Sequence, residues 1–580
     1  MKLGLLGSCI VQDVANLLKG KIKISNHFRS VSLGSLKTDV GYNERLVKYL
    51  NNNGFLANSE IQFAPQSLNL KDDDYFLIDL LDFRIPYVEV VLSDGSKLHF
   101  TRTKEIAENE EKIKRECDFI KEWHNFFPLQ FSESELESAI KDFADFCNCY
   151  LPEIILLEVA YPYQYISLSS EIKNYDNVST IINGNYFFEK VYKLFKKYCT
   201  KCYIIEKPYK FLFGNQNCKS PFLFHFNKPF YEYYSGCVDD ILFSQKEKTE
   251  ERLKRYFKES QSEILYARAF MLATNVKAIA SSRRLFLYIK QGKEEEAKIF
   301  CDILLQKYGI KIENVVGSGC WSGIVPLSEH KGTYKNKFFV VPHLIDKEII
   351  SDFFSNEIGL ANIIPMSCQK LVISNFTGIY YDLFGNEIKA GEKVKLSVVL
   401  SSVNNKIFFE GSQIKACNTE ILVVGIGGTQ CSVGKDAEFL KCVIHISTCG
   451  KIIIGENTLV VEARIFSHEL NEIIIGKDCM ISTEVFFYCG DGHSIYDLEQ
   501  RKNINLDYFN NNFRGSKIVL GEHVWIAMRT TLLGGAEIGS GSVIGACSVV
   551  KKKVPNNVVA VGNTLKVVRK ILLGVESHTE

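Results

Sequence analysis

The chain has 580 residues, with 69 Lys and Arg against 68 Asp and Glu and a formal charge of +1. That length predicts two to four domains, and that balance excludes recognition of nucleic acid by bulk electrostatics. Eighteen cysteines are scattered through predicted strands and helices; with no secretory signal evident, they are expected as reduced, buried thiols of a cytosolic protein.

The N-terminal run MKLGLLGSCIVQDVANLL is broken by Gln12 and Asp13 and has neither the long apolar region nor the small-residue cleavage site of a signal peptide. No stretch of about 18 uninterrupted apolar residues occurs, so no membrane span is expected. The first segment, 1–244, opens with the strand KLGLLG, a turn at Ser8 and Cys9, and a helix. DDYFLIDLLDFR, LPEIILLEVA and KCYIIEK follow as buried strands between helical stretches. Such alternation predicts a parallel sheet covered on both faces. Cys199 and Cys202 form one CxxC, but no second pair follows at zinc-ribbon spacing and Cys202 opens a strand, so both are expected in the core.

Residues 245–282, with SQKEKTEERLKRYFKES at their start, read as a solvated helical linker. Residues 283–374 read as a small Rossmann-like α/β unit: RLFLYIK a strand, EEEAKIFCDILLQKYG a helix, KIENVVG and KNKFFVVP strands, then a helix over 346–359. A dinucleotide site needs glycines after its first strand, where backbone approaches pyrophosphate. Here that turn is Lys290-Gln291-Gly292-Lys293, so a structural spacer is expected. The glycines of VVGIGGT, around Gly425 and Gly428, lie in β-coil sequence and open no helix.

The third segment, 375–580, has a different period. Leu520, Ile526, Leu532, Ile538, Ile544 and Val550 are each six residues apart, and mostly small residues follow four later at Val524, Thr530, Ala536, Ser542 and Ser548. Neither a helix nor a plain alternating strand repeats every six. A fixed short repeat marks a solenoid, with the aliphatic residue inward and small residues at the corners of a triangular coil. Ile454 and Val460, then Ile475 and Ile481, keep the same step upstream. Between Phe487 and Leu520 the hexads break off, and His493 sits in that gap between Asp491 and Asp497. Acyl transfer to a hydroxyl needs a base, and imidazole titrates in the right range. Loops on a rigid scaffold are where such groups are placed. On spacing alone, a surface histidine in an acidic loop is an equal reading. His445, His468 and His523 lack that context and read as structural or surface residues.

IGKDCMIS, DGHSIYD, IVLGEHVWIA and IGSGSVIGACSVVKKKVPNNVVAVGNTLKVVRK resemble the left-handed β-helix hexapeptide acyltransferases. The resemblance is to the branch that O-acetylates surface sugars, similar to maltose and galactoside acetyltransferases. It covers about the last third of the chain. It implies a left-handed parallel β-helix, a homotrimer, and acetyl-CoA as co-substrate in a groove between neighbouring solenoids, with no metal. It implies His493 as general base, with Asp491 and Asp497 orienting the ring or holding a sugar hydroxyl. It also implies Trp525, Met528 and Ala546 beside pantetheine, Lys551 and Lys552 near pantetheine and nucleotide, and Lys566 and Arg569 near the phosphates. Cationic side chains suit that anionic ligand. Ala527 replaces the family's usual Gly, and GNTLKVV replaces its Gly-Asn-Pro-Ala-Lys.

GLLGSCIVQD, DYFLIDLLDFR and FHFNKPFYEYY resemble the SGNH-hydrolase-like domains of the DUF6270 type. The resemblance implies a possible second site, with Ser8 as nucleophile at a turn whose N–H groups stabilise an oxyanion and His225 as its base. The sequence departs from that pattern: Gly-Ser-Cys replaces Gly-Asp-Ser, and Phe222 replaces the Asp expected three before the His, leaving Asp13 or Asp79 as substitutes. An inactive glycan-binding or scaffold domain weighs equally, and Cys9 reads as packing. The resulting expectation is a cytoplasmic O-acetyltransferase acting on a bacterial capsular or other surface polysaccharide, or on its nucleotide- or lipid-linked sugar precursor. The inner face of the membrane, beside polysaccharide assembly machinery, is an extension of that location. The rivals are a carbohydrate esterase or two-site acyltransferase using Ser8 and His225, and a non-catalytic trimeric glycan-binding scaffold.

Overall fold

The computed structural model describes residues 1–38, 41–55, 61–62, 65–208, 212–215, 226–243, 249–279, 284–317, 324–330, 337–356, 358, 360–411, 414–490 and 516–571. The chain divides into two units: Met1–Pro162 with Gly184–Gln261, and Tyr163–Asn183 with Ser262–Glu580. These units are not linear segments of the chain. The stretch 163–183 belongs to the second unit, and two of the three boundaries fall within the helices Val178–Tyr198 and Thr249–Ile279.

The first unit carries a five-stranded parallel sheet in the order Cys202–Ile205, Glu153–Leu157, Tyr75–Asp79, Lys2–Gly7, Lys23–Arg29. In chain order that is fifth, fourth, third, first, second, so the order reverses beside Lys2–Gly7. Ligands of doubly wound sheets bind at the carboxyl ends of the strands where the order reverses. Leu3, Leu5, Leu6, Phe76, Leu77 and Ile78 are fully buried, as strands covered on both faces require. The helix Glu133–Tyr150 starts at a capping box in which Ser132 and Glu135 bond each other's backbone N–H. A three-stranded antiparallel sheet, Lys97–Thr101, Tyr87–Leu92 and Ile120–Phe126, belongs to the same unit.

The second unit has two parts. Five short parallel strands lie in the order Val325–Pro326, Asn314–Gly317, Arg284–Ile289, Lys337–Val340, Ile363–Ile364. The helix Glu294–Tyr308 stops at Gly309, whose φ of 67° suits glycine. The helix expected over 346–359 spans Lys347–Ser355: Asp346 caps its start by accepting the Ile349 N–H, and Asn356 caps its end.

From Leu371 onward the chain is a parallel β-solenoid, opened by the antiparallel pair Leu371–Tyr381 and Glu387–Leu400 and closed by Val558–Val561 against Lys566–Lys570. In the last coils Trp525 lies on Val543 and Thr531 on Val549, eighteen residues on, three hexads per turn. In the earlier coils Lys451 lies on Glu472 and Leu459 on Met480, twenty-one residues on. Each coil has three faces: a first through Lys451–Ile454, Glu472–Ile475, Lys517–Leu520 and Glu537–Ile538, a second through Met480–Ile481, Trp525–Ile526 and Val543–Ile544, and a third through Val485–Cys489, Thr531–Leu533 and Val549–Val550. Ile475, Leu520 and Ile538 stack inward on the first face, as do Ile481, Ile526 and Ile544 on the second.

The corner between the first and second faces requires left-handed backbone in successive coils, at Asp436, Asn457, Asp478, His523, Gly541 and Asn557. Asn, Asp and Gly tolerate that conformation best. His523 is therefore a corner residue, its φ 54° and its N–H bonded to Lys477 O at 3.0 Å. The VVGIGGT glycines also serve a corner: Gly425, Gly427 and Gly428 all have positive φ.

The first coil is capped by the stretch that the sequence places far upstream. Val178 and Ile182 join the solenoid core. Tyr163 donates to Ile379 O at 2.5 Å, Leu383 N donates to Gln164 Oε1 at 2.6 Å, and Thr377 N to Asn183 Oδ1 at 2.8 Å.

Candidate active site

One coil of the solenoid is longer than all its neighbours. Glu472 lies on Lys517, Met480 on Trp525 and Phe486 on Thr531, forty-five residues on. The extra chain leaves after Gly490 and returns at Ser516, between the third face and the first. Asp491, His493 and Asp497 fall in this excursion and lie outside the described residues. Both of its feet are described, and they stand on a corner with its own column. Above them are His468 to Asn471. One coil below are Gly534 and Gly535, where Gly535 N donates to Lys517 O at 2.7 Å. Two coils below, roughly 10 Å at the spacing of hydrogen-bonded strands, are Lys551 and Lys552. The excursion that carries His493 thus leaves from the corner that carries the lysine pair.

The remaining expected groove residues lie across the third face from that corner. Trp525 stands outward on the second face, 39 % exposed, in a row with Val543, Val559 and Arg569. Met528, 43 % exposed, and Ala546 occupy one corner in successive coils, where Cys547 N donates to Met528 O at 3.0 Å. Lys566 and Arg569 line the closing strand. Lys551, Lys552, Lys566 and Arg569 are all exposed and form no ion pair among the described residues. The structure therefore groups Trp525, Met528 and Ala546, sets Arg569 in the Trp525 row, and separates Lys551 and Lys552 from them by the width of the third face, about 15 Å for five residues.

Sequence reasoning missed the outer surface of that third face. His445, Phe466 and Tyr488 are register partners, with Phe486 and His468 beside them. Their rings pack in sequence: His445 to Phe466 at 5.3 Å, Phe466 to Phe486 at 5.4 Å, His468 to Tyr488 at 5.1 Å. Burial lowers the pKa of both His445 and His468, so each favours the neutral ring. Aromatic residues recurring at the coil length, 445 to 466 to 488, were the available signal.

At the second expected site, Ser8 follows the first strand and caps the helix Cys9–Asn16, its Oγ accepting the Ile10 N–H at 3.2 Å. The same hydroxyl donates to Asp79 Oδ2 at 2.7 Å, and Ser8 N donates to that oxygen at 3.1 Å. Asp79 Oδ1 accepts the Leu81 N–H at 3.0 Å. Of the two carboxylates considered from sequence, Asp79 is the partner. It is fully buried, and burial, with Asp82 adding to it, raises its pKa to about 7. Ser8 itself is 5 % exposed. Burial and the charges of Asp13 and Asp79 push the Cys9 thiol up. His225 and Phe222 lie outside the described residues.

The bacterial transferase hexapeptide family (six repeats) matches residues 517–552. The polysialic acid O-acetyltransferase of Escherichia coli O1:K1 / APEC is 28 % identical over 123 residues, 21 % of this chain and 38 % of that one. The putative lipopolysaccharide biosynthesis O-acetyl transferase WbbJ of Escherichia coli K12 is 31 % identical over 101 residues, 17 % of this chain and 52 % of that one. The chain thus spans about half or less of the length of these curated relatives. The crystal structure of the polySia-specific acetyltransferase NeuO is 25 % identical and covers 34 % of this chain and 81 % of that chain, with a TM-score of 0.28. Among the described residues, no helix is long and apolar enough to cross a membrane.

Proposed function

We infer that this hexapeptide-repeat acyltransferase moves an acetyl group from acetyl-CoA to a hydroxyl of a bacterial surface polysaccharide or its sugar precursor. The observation that carries the reading is the corner column: the DGHSIYD excursion leaves the solenoid two coils above Lys551 and Lys552, which are exposed and form no ion pair among the described residues. The curated relatives, one named for polysialic acid and one for lipopolysaccharide, support the acceptor class.

In this reading His493 takes the proton from the acceptor hydroxyl as its oxygen attacks the thioester carbonyl. The C–S bond then breaks, and His493 returns the proton to the departing thiolate. Asp491 or Asp497 holds the ring in the tautomer that accepts. Trp525 and Met528 offer apolar surface to pantetheine, and Lys551, Lys552, Lys566 and Arg569 offer cations to the phosphates. Met528 and the lysine pair stand on opposite edges of the third face, with Trp525 on the second face beside Met528. A trimer that sets one protomer's Met528 corner against the next protomer's lysine corner completes the groove, and we assign the assembly that form.

Ser8 is read as a structural residue. Its buried hydroxyl donates its one proton to a buried carboxyl and accepts the Ile10 N–H. The esterase rival therefore has less support than the solenoid site.

The test uses the full chain with acetyl-CoA and a panel of polysaccharides that includes polysialic acid and lipopolysaccharide. Thiol release and polymer-bound acetyl are both measured. Equal amounts of both are expected with at least one polymer. Thiol release without polymer-bound acetyl, or neither, rejects the reading.

A further inference from the structure

We propose that Asn471 is a positioning residue for the transfer step: its side chain ties the returning foot of the excursion, Ser516, to His468, the corner residue whose N–H seats the departing foot at Cys489. The inference rests on the role proposed for His493.

Four hydrogen bonds close a ring around the excursion's base. His468 N donates to Cys489 O at 2.9 Å. Cys489 Sγ donates to Ser516 O at 3.2 Å. Ser516 N donates to Asn471 Oδ1 at 2.5 Å. Asn471 Nδ2 donates to His468 O at 2.6 Å. Asn471 is 3 % exposed and uses both halves of its amide, one as acceptor for the returning foot and one as donor to the corner that seats the departing foot.

The departing foot is equally constrained. Gly490 has φ 138°, and a Cβ there would stand 2.7 Å from His468 Cβ and 3.2 Å from Asn471 Nδ2. A side chain at that position would unseat the foot. Loop closure over so many residues is entropically unfavourable, and without the ring only the coil's own ladder, with Glu472 N donating to Ser516 O at 3.1 Å, holds the return.

His493 follows Gly490 by three residues in the sequence, so few residues separate the seated foot from the proposed base. A shift of about 1 Å in a catalytic group lowers turnover about 10²-fold. Asn471 touches neither co-substrate nor acceptor in this scheme, so its loss acts on turnover and leaves acetyl-CoA affinity alone. The backbone ladder and the core stack do not depend on its side chain, so the variant is expected to fold.

The test compares full-length wild type, Asn471→Ala and Asn471→Asp. Turnover is measured with acetyl-CoA and the panel polysaccharide on which wild type is fastest. Acetyl-CoA Kd is measured by calorimetry, and trypsin cleavage is followed at Arg501, Lys502 and Arg514. Asn471→Ala is expected to lose about 10- to 10²-fold in kcat, keep its acetyl-CoA Kd within about twofold, and be cut several times faster. Asn471→Asp tests rescue. Its ionised carboxylate faces His468 O with a lone pair, whereas its protonated form restores both donor and acceptor. Its kcat relative to wild type should therefore rise as pH falls.

Wild-type kcat and cleavage in Asn471→Ala overturn the inference alone. A kcat loss matched by weaker acetyl-CoA binding and a lower Tm overturns it in favour of a general structural role. A flat ratio for Asn471→Asp against pH also overturns it. A wild type that transfers nothing overturns the proposed function, and the role in transfer with it; faster cleavage of Asn471→Ala then still reports the tie between the feet.

Discussion

Two places in this chain put a reactive residue type just past the end of a strand, and they handle it in opposite ways. At Ser8 the hydroxyl, the N–H and the neighbouring carboxyl bond one another inside the first unit. At the solenoid corner below Ser516, Lys551 and Lys552 stand exposed and without an ion pair among the described residues. A group whose bonds are complete within the fold stabilises that fold. A charged group held on a rigid corner without a partner is available to a ligand. The contrast separates the two sites by what their neighbours leave free, where residue type alone made them rivals.

The sharpest way to break the contrast is His493→Ala. It is expected to cut acetyl transfer by about 10²–10⁴-fold, the range for loss of a general base, with the oligomer intact by light scattering. Near-normal turnover in a folded variant would remove His493 from the mechanism.

Asp79 provides the next largest effect, on stability. Its folded pKa of about 7 lies above the ordinary carboxylate value of 3.8, so the native state binds the proton more tightly than the unfolded chain. Its contribution is fully present below about pH 4 and is lost as pH rises toward 7, by up to about 4 kcal/mol. Asp79→Asn should flatten the fall in unfolding free energy over that window in urea titrations. An unchanged slope would mean that Asp79 is ionised in the fold.

Lys551→Ala with Lys552→Ala should raise the KM for acetyl-CoA about tenfold, an effect that shrinks with added salt, while the unfolding midpoint stays put. A lower midpoint with unchanged KM would make the pair structural and erase the contrast. Ser8→Ala comes last. It should lower stability by about 1–2 kcal/mol through the lost cap and hydrogen bond and leave acetyl transfer within about twofold. Loss of acetyl delivery to the polymer while thiol release continues would instead point to an acyl relay through Ser8.

The hexad register was legible because one residue in six meets its own counterpart a coil away, so the pattern is local. The gap holding His493 was legible for the same reason, as a break in that count. The corner shared by Gly490, Ser516 and Lys551 was not, because it appears only once coil length is known and the 45-residue coil is laid between neighbours of 21 and 18 residues. Pairing Ser8 with Asp79 in place of Asp13 likewise needed the sheet. Leu5 lies on Leu77 and Leu6 on Ile78, which carries the two strand ends to the same level. Asn471 carries no signal in the sequence, since both partners of its side chain are backbone groups. The stretch 163–183 has no solenoid period at all, and its contacts with the solenoid lie more than 190 residues away, as between Asn183 and Thr377.

That last stretch also has a timetable. The ribosome adds about 5–20 residues per second, so the 216 residues between Tyr163 and Ile379 take roughly 10–40 s to emerge. Throughout that interval Val178 and Ile182 have no solenoid to join, because its first strand has not been made. The solenoid itself grows from nearest-neighbour coils, each able to dock as it appears. Among the contacts of this stretch, those that cap the solenoid therefore wait longer than the one that Ile172 makes with Met271, 99 residues on. A nascent chain stalled just before Leu371 would present those two apolar side chains to whatever chaperone attends it.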